Sequence, residues 1–289
     1  MSNKADANVL TERMEQYVEN KEIAGAALLI RRAGEVIVQA CFGYADLAKQ
    51  EPVTERSVFR LASMTKPVVA AAIMLLADQG RLHLDDALAE FLPDFADKPG
   101  VTVRHLLNHS SGLAQDPEGI ERANGYMDPA DRLADRVRKW AKLPLDFEPG
   151  TRTGYSPLVG FDLLGRIVEV VSGEELQTFF QKRLFEPLGI RDLTYLLTPE
   201  QQSRLVRLYE AGEGTLTDVT DTEPLWSAVD RLPGVEHVHQ GHPVDRPNAH
   251  RLRGHELPHA LRLQGAQPGV DGDGQPGAGS LRLVRPAVG

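Results

Sequence analysis

The chain changes character at Trp226, and that break limits what it can fold into. Residues 227–289 contain no Ile, Met, Phe, Tyr, Trp, Lys, Thr or Cys. Six of the nine histidines lie there: His237, His239, His242, His250, His255 and His259. Pro and Gly are frequent and no apolar period is visible. Without large apolar side chains, such a segment cannot offset the chain entropy lost on folding. The expected organisation is therefore a folded domain over residues 1–226 and an atypical tail over 227–289. The tail reads either as a disordered His-rich extension or as the out-of-frame product of a GC-rich gene. The spacing His237-x-His239-x-x-His242 fits only loose metal contact.

Within the first 226 residues the apolar patterning is ordinary for an α+β enzyme. Val9, Leu10, Met14 and Val18 recur as on one helical face. Two apolar runs, 26–30 and 36–42, flank Arg31-Arg32-Ala33-Gly34-Glu35 and predict an antiparallel hairpin turning at Gly34. The run 66–77 predicts a buried helix ended by Gly80. Pro67 is tolerated because it falls in the first turn, where backbone N–H groups have no intrahelical partner. Short helices are predicted over 101–108, 132–143 and 176–184, and a buried one over 158–171, stopped at Gly173. Residues 117–128 read as a surface loop.

Charge and cysteine usage exclude several functions. The net charge of -9 repels phosphate backbones and anionic bilayers, so neither nucleic acid nor membrane is an expected partner. The sole cysteine, Cys41, rules out an intrachain disulfide. It could act as a nucleophile, but it lies in an apolar run with no histidine close by in sequence and reads as a small buried residue. No run of about 18 apolar residues exists to span a membrane. Residues 1–22 are charged and lack a signal-like apolar stretch, so a cytoplasmic protein is expected.

The chemically informative segment is Leu61-Ala62-Ser63-Met64-Thr65-Lys66. Ser63 and Lys66 stand one helical turn apart, so their side chains share a face. A serine hydroxyl is a weak nucleophile at neutral pH and needs such a neighbour. The helix N-terminus favours an alkoxide, and the Ser63 N–H offers one donor to an oxyanion. Taken alone, S-x-x-K also fits a Ser N-cap with a solvated lysine. Its place behind a hairpin, at the head of a strongly apolar helix, favours the catalytic reading. His105 and His109, i and i+4, invite a metal reading. No H-E-x-x-H glutamate and no obvious third ligand accompany them.

Several segments, taken in order, resemble class C β-lactamases, family VIII carboxylesterases and related penicillin-binding-protein-like serine hydrolases. They are Phe59-Arg60-Leu61-Ala62-Ser63-Met64-Thr65-Lys66-Pro67, Gly80-Arg81-Leu82-His83-Leu84-Asp85-Asp86, and Val103-Arg104-His105-Leu106-Leu107-Asn108-His109-Ser110-Ser111-Gly112-Leu113. Pro149-Gly150-Thr151, Gly154-Tyr155-Ser156 and Pro187-Leu188-Gly189-Ile190 continue the likeness. It covers roughly residues 5–225. The resemblance implies a β-lactamase/transpeptidase-like α+β fold. An antiparallel sheet would pack with helices beside a mostly helical subdomain at about 80–160. It implies Ser63 as acylated nucleophile, Lys66 as its partner and Tyr155 as base, with no cofactor or metal. A tyrosine of ordinary pKa near 10 needs positive charge nearby for that role. The His105–His109 segment would be structural, holding site and subdomain together.

Two departures shape the expected function. Where the family commonly has Tyr-x-Asn, this chain has Tyr155-Ser156-Pro157. Proline brings no side-chain amide to hold an amide substrate or Lys66. That favours a small carboxylic ester over an amide. The rivals are a β-lactamase or D-amino-acid peptidase on the same scaffold, and a catalytically inactive binding module. The family's third motif, a K-T-G, H-x-G or W-x-G strand, has no convincing counterpart. His239-Gln240-Gly241 matches by letter, but follows Tyr155 too soon and is expected outside any strand. Loss of C-terminal strands would leave the 26–42 hairpin with an open edge and predicts marginal stability. The oligomeric state is left open.

Overall fold

The computed structural model describes residues 3–126, 128, 131–221 and 239–241. Helix α1 (Asn3–Glu19) leads into strands β1 (Gly25–Arg32), β2 (Glu35–Asp46), β3 (Glu51–Pro52) and β4 (Val58–Arg60). A 3-10 turn (Ala62–Thr65) runs straight into α2 (Lys66–Asp78). Then follow α3 (Leu88–Phe91), α4 (Val103–Leu107), α5 (Pro117–Gly125) and α6 (Leu133–Trp140). The long helix α7 (Val159–Ser172) and α8 (Leu176–Phe180) come next, then a π-helical turn (Gln181–Phe185) and α9 (Glu186–Leu188). Strand β5 (Leu193–Thr194), α10 (Pro199–Gln202), β6 (Tyr209–Ala211), β7 (Leu216–Asp218) and β8 (His239–Gly241) complete the described chain.

The architecture is α+β. The hairpin forms as the pattern predicts, with Gly25 opposite Gly43 and Arg32 opposite Glu35, and β3 extends it on the β2 side. Helix α1 packs on β2. Among the described residues, no strand pairs with the outer edge of β1. The apolar run Ala26 to Ile30 on that strand is only half-buried. A second antiparallel sheet has the order β4-β8-β5, and β6 pairs with β7.

The main core lies between α2 and α7. Val69, Ala72, Ile73 and Leu76 of α2 are fully buried, as are Leu163, Leu164, Ile167 and Val168 of α7. Each large aliphatic side chain so buried stabilises the fold by about 1.5–3 kcal/mol. Helix α7 ends where expected, because Gly173 adopts the left-handed conformation that closes a helix (φ 75°).

Two expectations need correction. Residues 117–128 are not a loop throughout, since Pro117–Gly125 is helical. Pro117 occupies the first turn, where its missing N–H costs nothing, and Gly119 and Ala123 pack inward. The lengths of α4 and α6 were also overestimated, because the chain turns away at Asn108 and Ala141. Cys41 sits in β2 opposite Ala27. Burial, and secondarily Glu55, pushes its thiol up, which keeps it protonated and a poor nucleophile.

One buried ion pair ties α6 to α7. Arg136 Nη1 donates to Asp162 Oδ2 at 3.0 Å, with Arg136 1% and Asp162 0% exposed. Removing one member strands the other charge in the core. Asp162→Ala should therefore lower the unfolding free energy by about 3–5 kcal/mol, whereas Arg136→Met with Asp162→Leu should recover most of it. Urea denaturation checks this, and a single-variant loss under about 1 kcal/mol would show the pair is not desolvated.

Candidate active site

Strand β4 delivers the chain to Ser63. Its Arg60 is held by a hydrogen bond from Nη1 to the Val206 carbonyl at 2.9 Å, and Val58 is fully buried. Immediately before the serine, Ala62 adopts φ 45°, a left-handed conformation that costs a non-glycine residue energy. Ser63 then sits in a 3-10 turn rather than in the helix proper. With three residues per 3-10 turn, positions i and i+3 eclipse. The turn therefore aligns Ser63 and Lys66 more directly than an α-helix would.

The three residues singled out from the sequence converge. Ser63 Oγ lies 2.5 Å from Tyr155 Oη. Lys66 Nζ donates to Ser63 Oγ at 3.2 Å and to the Pro157 carbonyl at 2.8 Å. The same ammonium stands 5.2 Å from the Tyr155 ring centroid and 5.6 Å from that of Phe161. Lys66 is buried while Ser63 and Tyr155 are exposed. A buried cation thus lies beneath a solvent-facing hydroxyl pair. The Pro157 carbonyl accepts from Lys66, so backbone supplies an acceptor at a position that brings no amide side chain.

A wall of hydrogen bonds behind Tyr155 was not legible from the sequence. Segments 109–116 and 146–156 are laced together. The Gly154 N–H donates to the His109 carbonyl at 2.9 Å, and the Gly150 N–H to the Ser110 carbonyl at 2.8 Å. The buried Gln115 side chain donates to the His109 carbonyl at 2.6 Å and to the Gly154 carbonyl, and accepts from the Gly112 N–H. Asp146 accepts from the Gln115 and Asp116 N–H groups at 2.7 and 3.0 Å. Gly112 is required: its φ is 76°, and a Cβ there would lie 2.2 Å from the Phe147 carbonyl oxygen. The only sequence signal for Gln115 is its place two residues after the Ser-Ser-Gly-Leu segment.

His105 and His109 do not share a helical face. Helix α4 stops at Leu107, and His109 lies beyond it with φ 57°. His105 Nδ1 faces the Gly100 carbonyl at 3.1 Å, while His109 Nδ1 accepts from the Ser156 N–H at 3.3 Å. Among the described residues, no three His, Cys, Asp or Glu side chains converge as metal ligands.

The expectation for His239-Gln240-Gly241 is corrected. These residues form β8, with His239 opposite Arg60 and Gly241 opposite Val58. Their own pattern carries no strand signal. Pairing with β4 on one side and β5 on the other makes the strand, because strand formation follows partners more than intrinsic preference. His237 and His242, the rest of the His-rich spacing, lie outside the described residues, as does most of the tail.

A match to the family described as Beta-lactamase runs over residues 10–287. The chain belongs to the beta-lactamase family. It is 33% identical over 209 residues to esterase EstB of Burkholderia gladioli, covering 66% of this chain and 53% of that protein. It is 32% identical over 228 residues to penicillin-binding protein 4 of Amycolatopsis lactamdurans, covering 77% of this chain and 57% of that one. The chain thus spans about half the length of the curated relatives it matches. Among solved structures it is similar to EstCE1, a hydrolase with promiscuous acyltransferase activity (TM-score 0.72, 28% identity, 83% of this chain, 69% of that one). It also resembles the octameric penicillin-binding protein homologue from Pyrococcus abyssi (TM-score 0.67, 26% identity, 82% and 54%). The fold is of the β-lactamase/transpeptidase type. Among the described residues, no helix is long and apolar enough to cross a membrane.

Glycine tolerates φ > 0, so Ala62→Gly relieves the strain before Ser63. It should raise unfolding free energy by about 0.5–1 kcal/mol, the left-handed cost less glycine's added chain entropy. Thermal denaturation of the two chains measures it, and an unchanged or lower midpoint would mean that Ala62 stores no strain.

Proposed function

We propose that this chain is a serine hydrolase that cleaves a small carboxylic ester through an acyl-enzyme on Ser63. The observation that carries the reading is the 2.5 Å approach of Tyr155 Oη to Ser63 Oγ, with Lys66 Nζ at 3.2 Å on the same oxygen. Tyr155, as the phenolate, takes the Ser63 proton as Oγ attacks the ester carbonyl carbon, and the negative charge passes from the phenolate to the carbonyl oxygen. The Lys66 ammonium, against the Tyr155 ring and the Ser63 oxygen, stabilises that negative charge as it moves from Tyr155 through Ser63 Oγ. The Ser63 N–H, in the turn that opens α2, donates to the tetrahedral oxyanion. As the intermediate collapses, the C–O bond to the alcohol breaks and Tyr155 returns its proton to the leaving oxygen. A water, deprotonated by Tyr155, then attacks the acyl carbon; the bond to Ser63 Oγ breaks, Tyr155 returns the proton to Oγ, and the acid leaves.

Ester rather than amide follows from Pro157. Its carbonyl takes the Lys66 donor, and no side-chain amide at that position is left to hold a substrate amide. An alkoxide also leaves more readily than an amine, so the reaction demands less positioning. EstB and the lovastatin esterase of Penicillium rubens, 33% and 32% identical, are esterases by name and support this choice. The penicillin-binding relatives support the rival, an amide or β-lactam substrate on the same serine.

Fluorophosphonate labelling followed by mass spectrometry should place the adduct on Ser63, and Ser63→Ala should abolish it. Tyr155→Phe should slow labelling by about 10²–10⁴-fold, the usual worth of a general base. The chain should turn over p-nitrophenyl butyrate with a higher kcat/KM than nitrocefin. The reverse ranking would assign it to β-lactams, and no adduct on a folded chain would make it a binding module.

A further inference from the structure

His109 brackets Tyr155 from both sides along the chain. Its carbonyl accepts the N–H of Gly154, the residue before Tyr155, at 2.9 Å. Its ring Nδ1 accepts the N–H of Ser156, the residue after, at 3.3 Å. Between these anchors the imidazole packs against the Tyr155 ring, with centroids 4.9 Å apart and planes tilted by 51°. The imidazole also meets Phe161 of α7 at 5.4 Å. The backbone at His109 is itself left-handed (φ 57°), a conformation held by the Gln115 side chain on the same carbonyl.

We propose that His109, as the neutral imidazole with Nδ1 unprotonated, is a positioning residue that holds Tyr155 at hydrogen-bond distance from Ser63. The inference rests on the reading of Tyr155 as the base. His109 touches none of the reacting atoms, and acts by fixing the two peptide units that flank the tyrosine. An Nδ1 that accepts from a backbone N–H puts the ring proton on Nε2. Protonation would set an N–H at Nδ1 against the Ser156 N–H, two donors facing each other. It would also add a second cation close to Lys66. The titratable groups facing the ring are Lys66, from α2, and Tyr155 itself; Phe161 from α7 is apolar and Gln115 is uncharged.

Burial first, and the Lys66 ammonium second, hold the His109 imidazole below the ordinary histidine range. The sign follows. The neutral ring persists through neutral pH, and the arrangement is lost only as pH falls below the ordinary value of about 6.5. The acid limb of the acylation rate should therefore contain the His109 titration.

The test is the rate of fluorophosphonate labelling of Ser63 in the full chain from about pH 5 to about pH 8, the range in which histidine titrates. His109→Asn keeps a short-reach acceptor, tolerates the left-handed backbone and does not titrate. It should retain labelling at neutral pH and lose the wild-type acid limb. His109→Phe keeps a ring but no acceptor, and should label at least about tenfold more slowly at neutral pH, as a misplaced base does. An acid limb in His109→Asn identical to that of wild type overturns the inference, even if His109→Phe fails to fold. So does a folded His109→Phe chain that labels at the wild-type rate. A wild-type chain that never labels overturns the acyl-transfer reading itself, and this inference with it.

Discussion

The packing of α2 against α7 is the frame on which the site is built. Helix α2 begins at Lys66, directly after the turn that carries Ser63, and α7 begins four residues after Tyr155. The two helices pack against each other, and Ile73, Leu76, Leu164 and Ile167 are all fully buried in the same core. A core of that density does not slide, because interior side chains interlock like those of a molecular crystal. The serine and the tyrosine thus stand just before the first turns of two helices whose contact is fixed far below the surface. A core substitution that shifts one helix by a fraction of an ångström would be felt at Ser63 Oγ.

Lys66 is the second constraint. An ammonium removed from water must find acceptors or shed its proton. Here it finds the Ser63 hydroxyl and a main-chain carbonyl, with two aromatic faces beside it. The cation is therefore conserved in place by the fold, whereas the hydroxyl pair above it stays open to solvent and to substrate. Burial of the charge and exposure of the Ser63 hydroxyl are two halves of the same arrangement.

Much of this was legible in the sequence. The hairpin at Gly34, the apolar helix from Lys66 and the buried helix ended by Gly173 each follow from periodicity and from glycine where a left-handed residue is needed. Ser63, Lys66 and Tyr155 were legible as a set through resemblance, and the structure brings them within hydrogen-bond reach. What was not legible depends on partners distant in the chain. Gln115 matters because it bridges His109 and Gly154, which no local pattern reveals. Strand β8 exists through β4 and β5, since its own residues carry no alternation. The helix at Pro117 was hidden because proline and glycine read as loop residues, although proline belongs in a first turn. The separate placements of His105 and His109 were hidden because spacing alone cannot tell that the helix ends two residues before His109.

The Pro157 carbonyl has a consequence for how this site would respond to change. A lysine anchored by a side chain can lose its anchor through one substitution. Here the acceptor belongs to the main chain, so residue replacement at 157 leaves the oxygen in the polypeptide. Side-chain scanning would score this position as tolerant, while gain or loss of one residue between Tyr155 and α7 would pull the carbonyl out of register. Lys66 is thus secured by loop length rather than by residue identity at 157.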